Sequence, residues 1–463
     1  MTTTTVPQLL PRAGRPMGAW LGHSMASTDG EVSGATRVLK WMAERARAND
    51  YRIDLIPFEQ LVNWSFDEAT GNLGHRSGRF FTVEGLRVSV DDTSSQVQPR
   101  SWSQPILNQP EVGILGLLVK DFGGTPHVLM QAKMEPGNRN LVELSPSVQA
   151  TRSNYTRVHG GTAVRYLEYF REPGRGRVLA DVLQSEQGGW FYRKVNRNMI
   201  IEITDEVEPH EDFRWLSLGE VADLLRMDNM VSMDARSTLA CLPVQRAEAG
   251  ALHADPELLF WFTDMRARYC VRADRVPLAE VPGWRRTDTA IEHEDGRYFR
   301  IVAASVGATG REVGGWSQPL LEPCGTGVAC FLTCKVGGVT HLLAHARPEA
   351  GFAYSVELAP TVQCNPANHA HRPADERPRF LDRVLSADPA RITYQAVQSE
   401  EGGRFRHAET RYMLVEVDEP FAAPAEYRWV TQGQLAMLAR HGHYLNVEAR
   451  TLLAVLNTVE SWQ

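Results

Sequence analysis

The chain has 463 residues, a formal net charge of −7 and a pI near 6.1. Its 43% hydrophobic and 23% charged residues are those of a globular protein with enough chain to bury a core unaided by disulfides. The acidic balance excludes the concentrated positive field that a nucleic-acid binder needs.

The first residues, MTTTTVPQLLPRAGRP, hold no basic segment followed by an apolar run, and the sequence contains no stretch of 18 apolar residues. A cytoplasmic protein with no membrane segment is expected. Residues 30–50, GEVSGATRVLKWMAERARAND, predict an Arg-rich helix serving as a packing or dimer arm. GILGLLVK (113–120) and HVLMQAK (127–133) predict two strands joined by the hairpin loop GGTP. VELSPSVQ (142–149) alternates apolar and polar positions and predicts a half-buried strand. AVRYLEYF (163–170) places Val164, Leu167 and Phe170 on one helical face. RVLADVLQSE and NMIIEI flank the QGG turn as a hairpin. Ser217 and Glu220 form a capping box for LGEVADLLRM, and Ser232 or Asp234 starts a last helix ending near Leu242. The polar, Ala/Gly-rich run RAEAGALHADPE (246–257) is the best candidate boundary between domains.

The same grammar then repeats. SWSQPIL (101–107) returns as GWSQPLL (315–321), 214 positions later. At that offset VLMQAK meets LLAHAR, VELSPSVQ meets VELAPTVQ, QSEQGGWF meets QSEEGGRF, and DARSTLACL meets EARTLLAVL. Roughly 30% of about 140 positions are identical without a gap, which marks a duplicated unit of about 190 residues. Upstream the register slips by four, where GRFFTVEGLRV (78–88) resembles GRYFRIVAASV (296–306). Each unit mixes strands and helices, an α+β or α/β class with a mixed sheet between helices.

The halves differ where chemistry would sit. After the VELSPSVQ segment the first reads QATRSNYTRVHGG (149–161) and the second QCNPANHAHRPAD (363–375). The first is dense in hydroxyls, amides, a phenol, Arg and His, the groups that bind a polyhydroxylated ligand and move its protons. KMEPGN becomes RPEAGF, and KVNRN becomes AETRY. The chain has only five lysines, and two of them, Lys133 and Lys194, lie in these segments. A working site in the first half is expected. Glu135/Glu349, Glu143/Glu357, Gln149/Gln363 and Glu186/Glu400 persist in both copies. Such residues support the fold, or bind a ligand that both halves hold. Trp102 and Trp316 are core aromatics or stacking platforms for a nucleobase.

Other signals are set aside. The H-x-H pairs at 369–371 and 441–443 lack Cys or acidic partners at ligand spacing, so no metal is expected. The six Cys form no C-x-x-C pair and read as reduced thiols. Walker, G-x-G-x-x-G and G-x-S-x-G patterns are missing, and no cofactor is expected.

WSQPIL, QAKMEPGN, ELSPSVQATRSNYTRVHGG, QSEQGGWFYRKVNRN and SEEGGRF together resemble the NDP-hexose 2,3-dehydratases of deoxysugar biosynthesis in antibiotic-producing actinomycetes. The resemblance covers essentially the whole chain. It implies two tandem Nudix-like domains, placed here at 51–250 and 251–463 behind a helical arm of 1–50. It further implies a homodimer, a dTDP-4-keto-6-deoxyhexose substrate, one productive pocket and one vestigial pocket. A 3-ketoreductase would consume the unstable product. The Nudix box R-E-x-x-E-E-x-G is not in the sequence, so metal-assisted pyrophosphate cleavage is not expected. Under this resemblance Tyr155 or His159 is the general base or acid, and Lys133 donates to the C4 oxyanion. Glu135 either orients Lys133 or is itself the base. Gln149, Thr151, Ser153 and Asn154 bind sugar hydroxyls, with Glu186 also on the substrate. Arg152, Arg157, Lys194 and Arg197 meet the diphosphate. Trp102 or Trp190 stacks on thymine. Trp316, Arg347, Gln363 and Arg404 belong to the second pocket.

Overall fold

The computed structural model describes residues 34–94, 99–151, 163–243, 250–308 and 314–458. Each repeat builds a large mixed sheet. In the first the strand order is Arg177–Ser185, Val195–Ile203, Gly113–Phe122, Thr125–Met134, Phe213–Ser217. Only the pair Val195–Ile203 and Gly113–Phe122 is parallel. Eight consecutive residues from Gly113 are buried, as expected of a strand covered on both faces. Leu117 and Val119 face the helices Leu218–Leu225 and Met233–Leu239, while Ile114 and Leu118 face Phe170 and Met199. The second repeat reproduces the order with Ile392–Ser399, Glu409–Glu416, Gly327–Val336, Val339–Pro348 and Tyr427–Thr431.

The central hairpin opens into a fork. Gly113–Phe122 and Thr125–Met134 pair only from Leu118 to Phe122. Beyond that, Val142–Ser145 pairs with the outer half of Thr125–Met134 and Val148–Ala150 with Ile114–Gly116. The predicted single strand 142–149 is therefore two strands, broken around Pro146, because it fills the gap between diverging neighbours. Ser147 sits where the fork opens. Its hydroxyl accepts from Leu118 N at 2.9 Å and donates to Leu129 O at 2.6 Å. Thr361 does the same between Leu332 N (3.0 Å) and Leu343 O (2.5 Å).

Helix capping follows the sequence closely. Ser217 and Glu220 form the reciprocal box, and Ser232 caps Met233–Leu239. The helix expected over 163–170 shrinks to the single turn Glu168–Arg171, since Tyr166 adopts φ 61° and breaks the run. Its apolar face is as expected, with Leu167 and Phe170 buried. The N-terminal arm is the helix Gly34–Ala48, which buries Val38 and Met42 against the first large sheet. Arg45 ties it to Glu211 and Asp212.

Two smaller sheets exchange strands between the repeats. Thr82–Asp92, Arg100–Asn108 and two short strands form one, completed at its edge by Tyr269–Val276 of the second repeat. Phe299–Ala308, Gly315–Pro323 and their partners form the other, completed by Tyr51–Ile56 of the first. The largest hydrophobic cluster joins both repeats, running from Leu117 and Ile200 to Phe331 and Leu414.

The seam between the repeats is a pseudo-twofold, and its contacts recur at the 214 offset. Ser399 Oγ donates to Glu143 Oε2 at 2.5 Å, and Ser185 Oγ donates to Glu357 Oε1. Gln184 Nε2 donates to Ala439 O, and Gln398 Nε2 to Leu225 O. Arg236 Nη2 donates to Ser399 O, and Arg450 Nη2 to Ser185 O. Gly137 N donates to Gly402 O and Gly351 N to Gly188 O. A Cβ on Gly137 would stand 1.6 Å from Phe405 O, so no larger residue fits this turn.

Candidate functional site

The fork sets the site. Lys133 lies opposite Glu143 on one arm, and Gln149 opposite Leu115 on the other. Lys133 Nζ bridges the gap, 2.7 Å from Gln149 Oε1 and 2.8 Å from Glu135 Oε1. Lys133 and Glu135 are nearly buried. The second repeat carries the counterpart: Arg347 Nε meets Glu349 Oε1 at 2.7 Å, and Gln363 Nε2 donates to the same oxygen at 3.1 Å. Gln363 Oε1 in turn accepts from Asn446 at the head of the last helix. Thr151 ends the first fork half-buried. Arg152, Ser153, Asn154, Tyr155, Arg157 and His159 lie outside the described residues.

Behind Lys133 a buried charged network crosses the seam. Lys194 Nζ donates to Asn196 Oδ1 at 2.9 Å and to Glu111 O, and Asn196 Nδ2 donates to Glu186 Oε1 at 2.6 Å. Burial pushes the Lys194 ammonium down to about 8, against the pull of Glu186. Burial raises Glu186, with Arg450 and Lys194 opposing it. Asp234 is raised well above the ordinary range by burial and by the neighbouring Glu186 and Glu401. Glu401 is pushed by burial up to about 7, with Arg404 opposing. One oxygen on each of Glu186, Asp234 and Glu401 is buried without a hydrogen-bond partner among the described residues. Carboxyls so placed favour the protonated form near neutrality and can give or share a proton.

Several predicted residues sit elsewhere. Arg197 forms a two-pronged pair with Asp181 on the sheet, at 2.7 and 2.6 Å. Trp190 packs edge-on against Phe405 in the core between the small sheets. Trp102 is 39% exposed and lines the cleft of the second repeat, beside Arg347 and Gln363 and away from Lys133. Arg404, expected in the second pocket, donates to Gln109 Oε1 at 3.0 Å and reaches the Lys194–Glu401 network of the first. Trp316 is partly buried against the largest hydrophobic cluster, with its indole Nε1 donating to Gln318 Oε1 at 2.9 Å. Strand exchange explains the crossings: each small sheet roofs the large sheet of the other repeat. Asp234, expected only as a possible helix start, and Glu401 had no expected part in the site; for Asp234 the one signal was that D-A-R and E-A-R both keep an acid at this register.

The second cleft encloses about 460 Å³. Arg100, Arg347, Arg372, Arg377 and Arg379 line it together with His345 and His369. Burial, with Arg347 and Arg100, pushes His345 down to about 3, so its ring is neutral. No helix among the described residues is long and apolar enough to cross a membrane.

The family model for NDP-hexose 2,3-dehydratase matches this chain twice, over residues 35–242 and 255–456. A dTDP-4-dehydro-6-deoxy-alpha-D-glucopyranose 2,3-dehydratase of Amycolatopsis orientalis is 52% identical over 99% of this chain and 98% of its own length. Proteins of the same description from Saccharopolyspora spinosa and Streptomyces violaceoruber are 50% and 49% identical, each over 90% of this chain and over 90% and 96% of their own. A Nudix hydrolase from M. smegmatis aligns with 24% of this chain and 74% of its own at 18% identity, with a TM-score of 0.17, too slight a likeness to carry an argument. With both repeats matched by the family model and relatives identical at half of all positions, the chain belongs to the NDP-hexose 2,3-dehydratase family.

Proposed function

We propose that this chain removes water across C2 and C3 of dTDP-4-dehydro-6-deoxyglucose, and that the Lys133 site of the first repeat does the work. The family membership carries the reaction. The Lys133–Glu135–Gln149 arrangement, with acid-holding groups behind it, supports the place.

The C4 ketone already acidifies the C3 proton. A base removes it and leaves an enolate, the C2 hydroxyl departs as water with a proton from an acid, and the enol tautomerises to a 3,4-diketo-2,6-dideoxy sugar. Electrons move only within the substrate, so the net change needs no oxidant. Lys133 Nζ, fixed by two acceptors, has a third N–H to give to the C4 oxygen as charge develops there; such a donor contributes about 10²–10³-fold. Glu135 holds Lys133 in place or takes the C3 proton. Tyr155 and His159, on the segment that follows Thr151, are the remaining candidates for base and acid, and each acid–base group contributes about 10²–10⁴-fold. Lys194 is offered for the diphosphate, with Arg152 and Arg157.

Each repeat is read as a Nudix-like domain, on the support of a mixed sheet with its parallel pair inside and helices against one face. The proposed boundaries are 51–250 and 251–463, with each domain lending its leading strand to the other's small sheet. Homodimer assembly and a 3-ketoreductase that consumes the product rest on the resemblance alone.

The test is to incubate the protein with its substrate and EDTA, in D₂O, beside a ketoreductase that traps the product. Chelator-resistant product is expected, with K133A, Y155F and H159A each losing far more turnover than R347A or H369A. Chelator-sensitive release of a sugar phosphate points instead to a Nudix hydrolase. Binding without turnover makes the chain a dTDP-sugar-binding protein. Equal losses in the two repeats reject the single working site.

A further inference from the structure

The two glycine-pair turns, at 188–189 and 402–403, each reach across the seam to the opposite repeat's fork. Gly137 N donates to Gly402 O at 2.7 Å and His407 N to Gly137 O at 2.7 Å, so residues 402–407 clasp the turn that follows Glu135. The point where a Cβ on Gly403 would stand is 3.3 Å from Glu135 Oε2 and 2.6 Å from Glu401 Oε1. Glu401 Oε1 also accepts from Gly403 N at 3.0 Å. A carboxyl of the second repeat thus stands beside the carboxyl that pairs with Lys133.

The mirror turn shows how much of this the fold requires. Gly351 N donates to Gly188 O at 2.8 Å and Arg193 N to Gly351 O at 2.8 Å, so the clasp is the same. At the position of Glu401, however, the first repeat has Gln187, whose Nε2 donates to Glu400 Oε2 across the seam at 2.9 Å. The reciprocal contact would join Glu401 to Glu186, and two ionised carboxyls cannot make it. An acid at 401 therefore costs the fold a seam bond that glutamine would supply. Lys194 and Arg404, the cations that act on this cluster, have Ala408 and Trp190 at their mirror positions. Glu349 and Gly189 line the second cleft, whereas Gln187 does not. By the same geometry Glu401 stands behind Glu135 and not against the ligand.

We propose that Glu401 is a positioning residue for Glu135, lent by the second repeat to the first: its carboxylate offsets the pull of Lys133 and leaves Glu135 basic enough to take the C3 proton, a role that rests on placing the reaction at Lys133. An ammonium 2.8 Å from Glu135 lowers its proton affinity, and a negative charge at its back raises it again. Around Glu401 stand Arg404 on its own turn, Glu135 with Lys133 on the fork arm, Glu186 and Lys194 on the strands of the first repeat, and Asp234 at the head of Met233–Leu239. Burial pushes Glu401 up to about 7, Arg404 opposes, and Glu135 and Glu186 add to the rise. Its charge, and with it the basicity of Glu135, grows as pH rises through neutrality.

The pH profile of kcat tests it. In the parent kcat should rise through about pH 7. E401Q places at 401 the residue that the first repeat carries. It should match the parent at about pH 5.5 and fall about tenfold below it at about pH 8, with KM within about threefold at both. Should E401Q fail to fold, E401S removes the same charge and is read the same way. A profile that keeps the parent's shape, or an equal loss at both pH values, overturns the assignment, since a merely structural role lowers kcat at every pH. K133A and R347A separate the two levels. If K133A is dead and E401Q titrates as the parent does, only the part given to Glu401 is wrong. If K133A is active and R347A is dead, the placement of the reaction is wrong.

Discussion

Replacing Arg236 by Met probes whether the two repeats fold as one. Arg236 is wholly buried, and its guanidinium crosses the seam to Ser399 O at 2.6 Å and Thr451 Oγ1 at 3.3 Å, with a third bond to Val231 O in its own repeat. Methionine keeps most of the volume but leaves three buried acceptors unmet, at about 1–3 kcal/mol each. Relief from burying a cation offsets part of that, so a net loss of about 3 kcal/mol is expected. Arg450→Met should cost a similar amount, since its guanidinium reaches Ser185 O and Ser237 Oγ by the same geometry. The double variant should lose about 1 kcal/mol or more less than the sum, because both side chains hold one helix pair. Urea unfolding followed by tryptophan fluorescence and circular dichroism reads all four proteins. Chains with two domains ordinarily unfold in steps. Here exchanged strands and a shared core call for one transition, with turnover falling in step with the folded fraction. Two resolved transitions in the parent, or a loss under about 0.5 kcal/mol in Arg236→Met, would refute the reasoning.

Glu143→Gln tests a buried carboxyl that burial raises to about 8, against the Ser399 hydroxyl. A folded-state value above the unfolded 4.5 means that its contribution is fully present below about pH 4.5 and lost as pH rises through about 8, on the order of 5 kcal/mol over the window. Urea midpoints between pH 5 and 8.5 should fall less in E143Q than in the parent; an identical fall excludes the carboxyl as a source. Lys194, pushed by burial down to about 8, loses its charge above that pH. If that charge meets the diphosphate, kcat/KM has an alkaline limb near pH 8 which Lys194→Arg moves upward; a limb that stays in place separates Lys194 from substrate binding. Ser147→Ala removes the hydroxyl between Leu118 N and Leu129 O and should cost about 2–4 kcal/mol. Ser147→Thr, the residue that the other fork uses at Thr361, should restore most of the loss, and a failure of both variants alike would point to shape and not to the hydroxyl.

Much of each repeat was legible because local rules decide it. The GGTP hairpin, the Ser217–Glu220 box and the strands flanking QGG depend on neighbours within a few residues. The fork was hidden because VELSPSVQ obeys strand alternation while its pairing partners are set by the divergence of two other strands. Strand exchange was hidden for a deeper reason. YRIDLI and YCVRADRV each present the alternating pattern of an edge strand, and duplicated sheets offer each of them two nearly equivalent edges. Alternation says which face is buried, not whose sheet receives it. That ambiguity reached the surroundings of the forks: Trp102 of the first repeat lines the cleft beside Arg347, and Arg404 of the second reaches the Lys194–Glu401 network, because sequence proximity does not fix spatial proximity across exchanged strands.

The pattern of retention follows from the same symmetry. A contact across a pseudo-twofold is made twice, once by each copy, so a change in one repeat breaks a contact without repairing its mate. Glu143/Glu357, Ser185/Ser399, Gln184/Gln398, Gly137/Gly351 and Arg236/Arg450 are all kept, and all make reciprocal seam contacts. A residue that faces only one fork is under no such constraint. Lys133 stands where the second repeat has Arg347, Lys194 where it has Ala408, Asn196 where it has Thr410, and Arg404 where the first has Trp190. These unmatched positions converge on the network around Glu135, Glu186 and Asp234. Agreement at the seam positions therefore follows from contacts that each repeat makes to the other, while the disagreements gather around Lys133, where the working site is proposed.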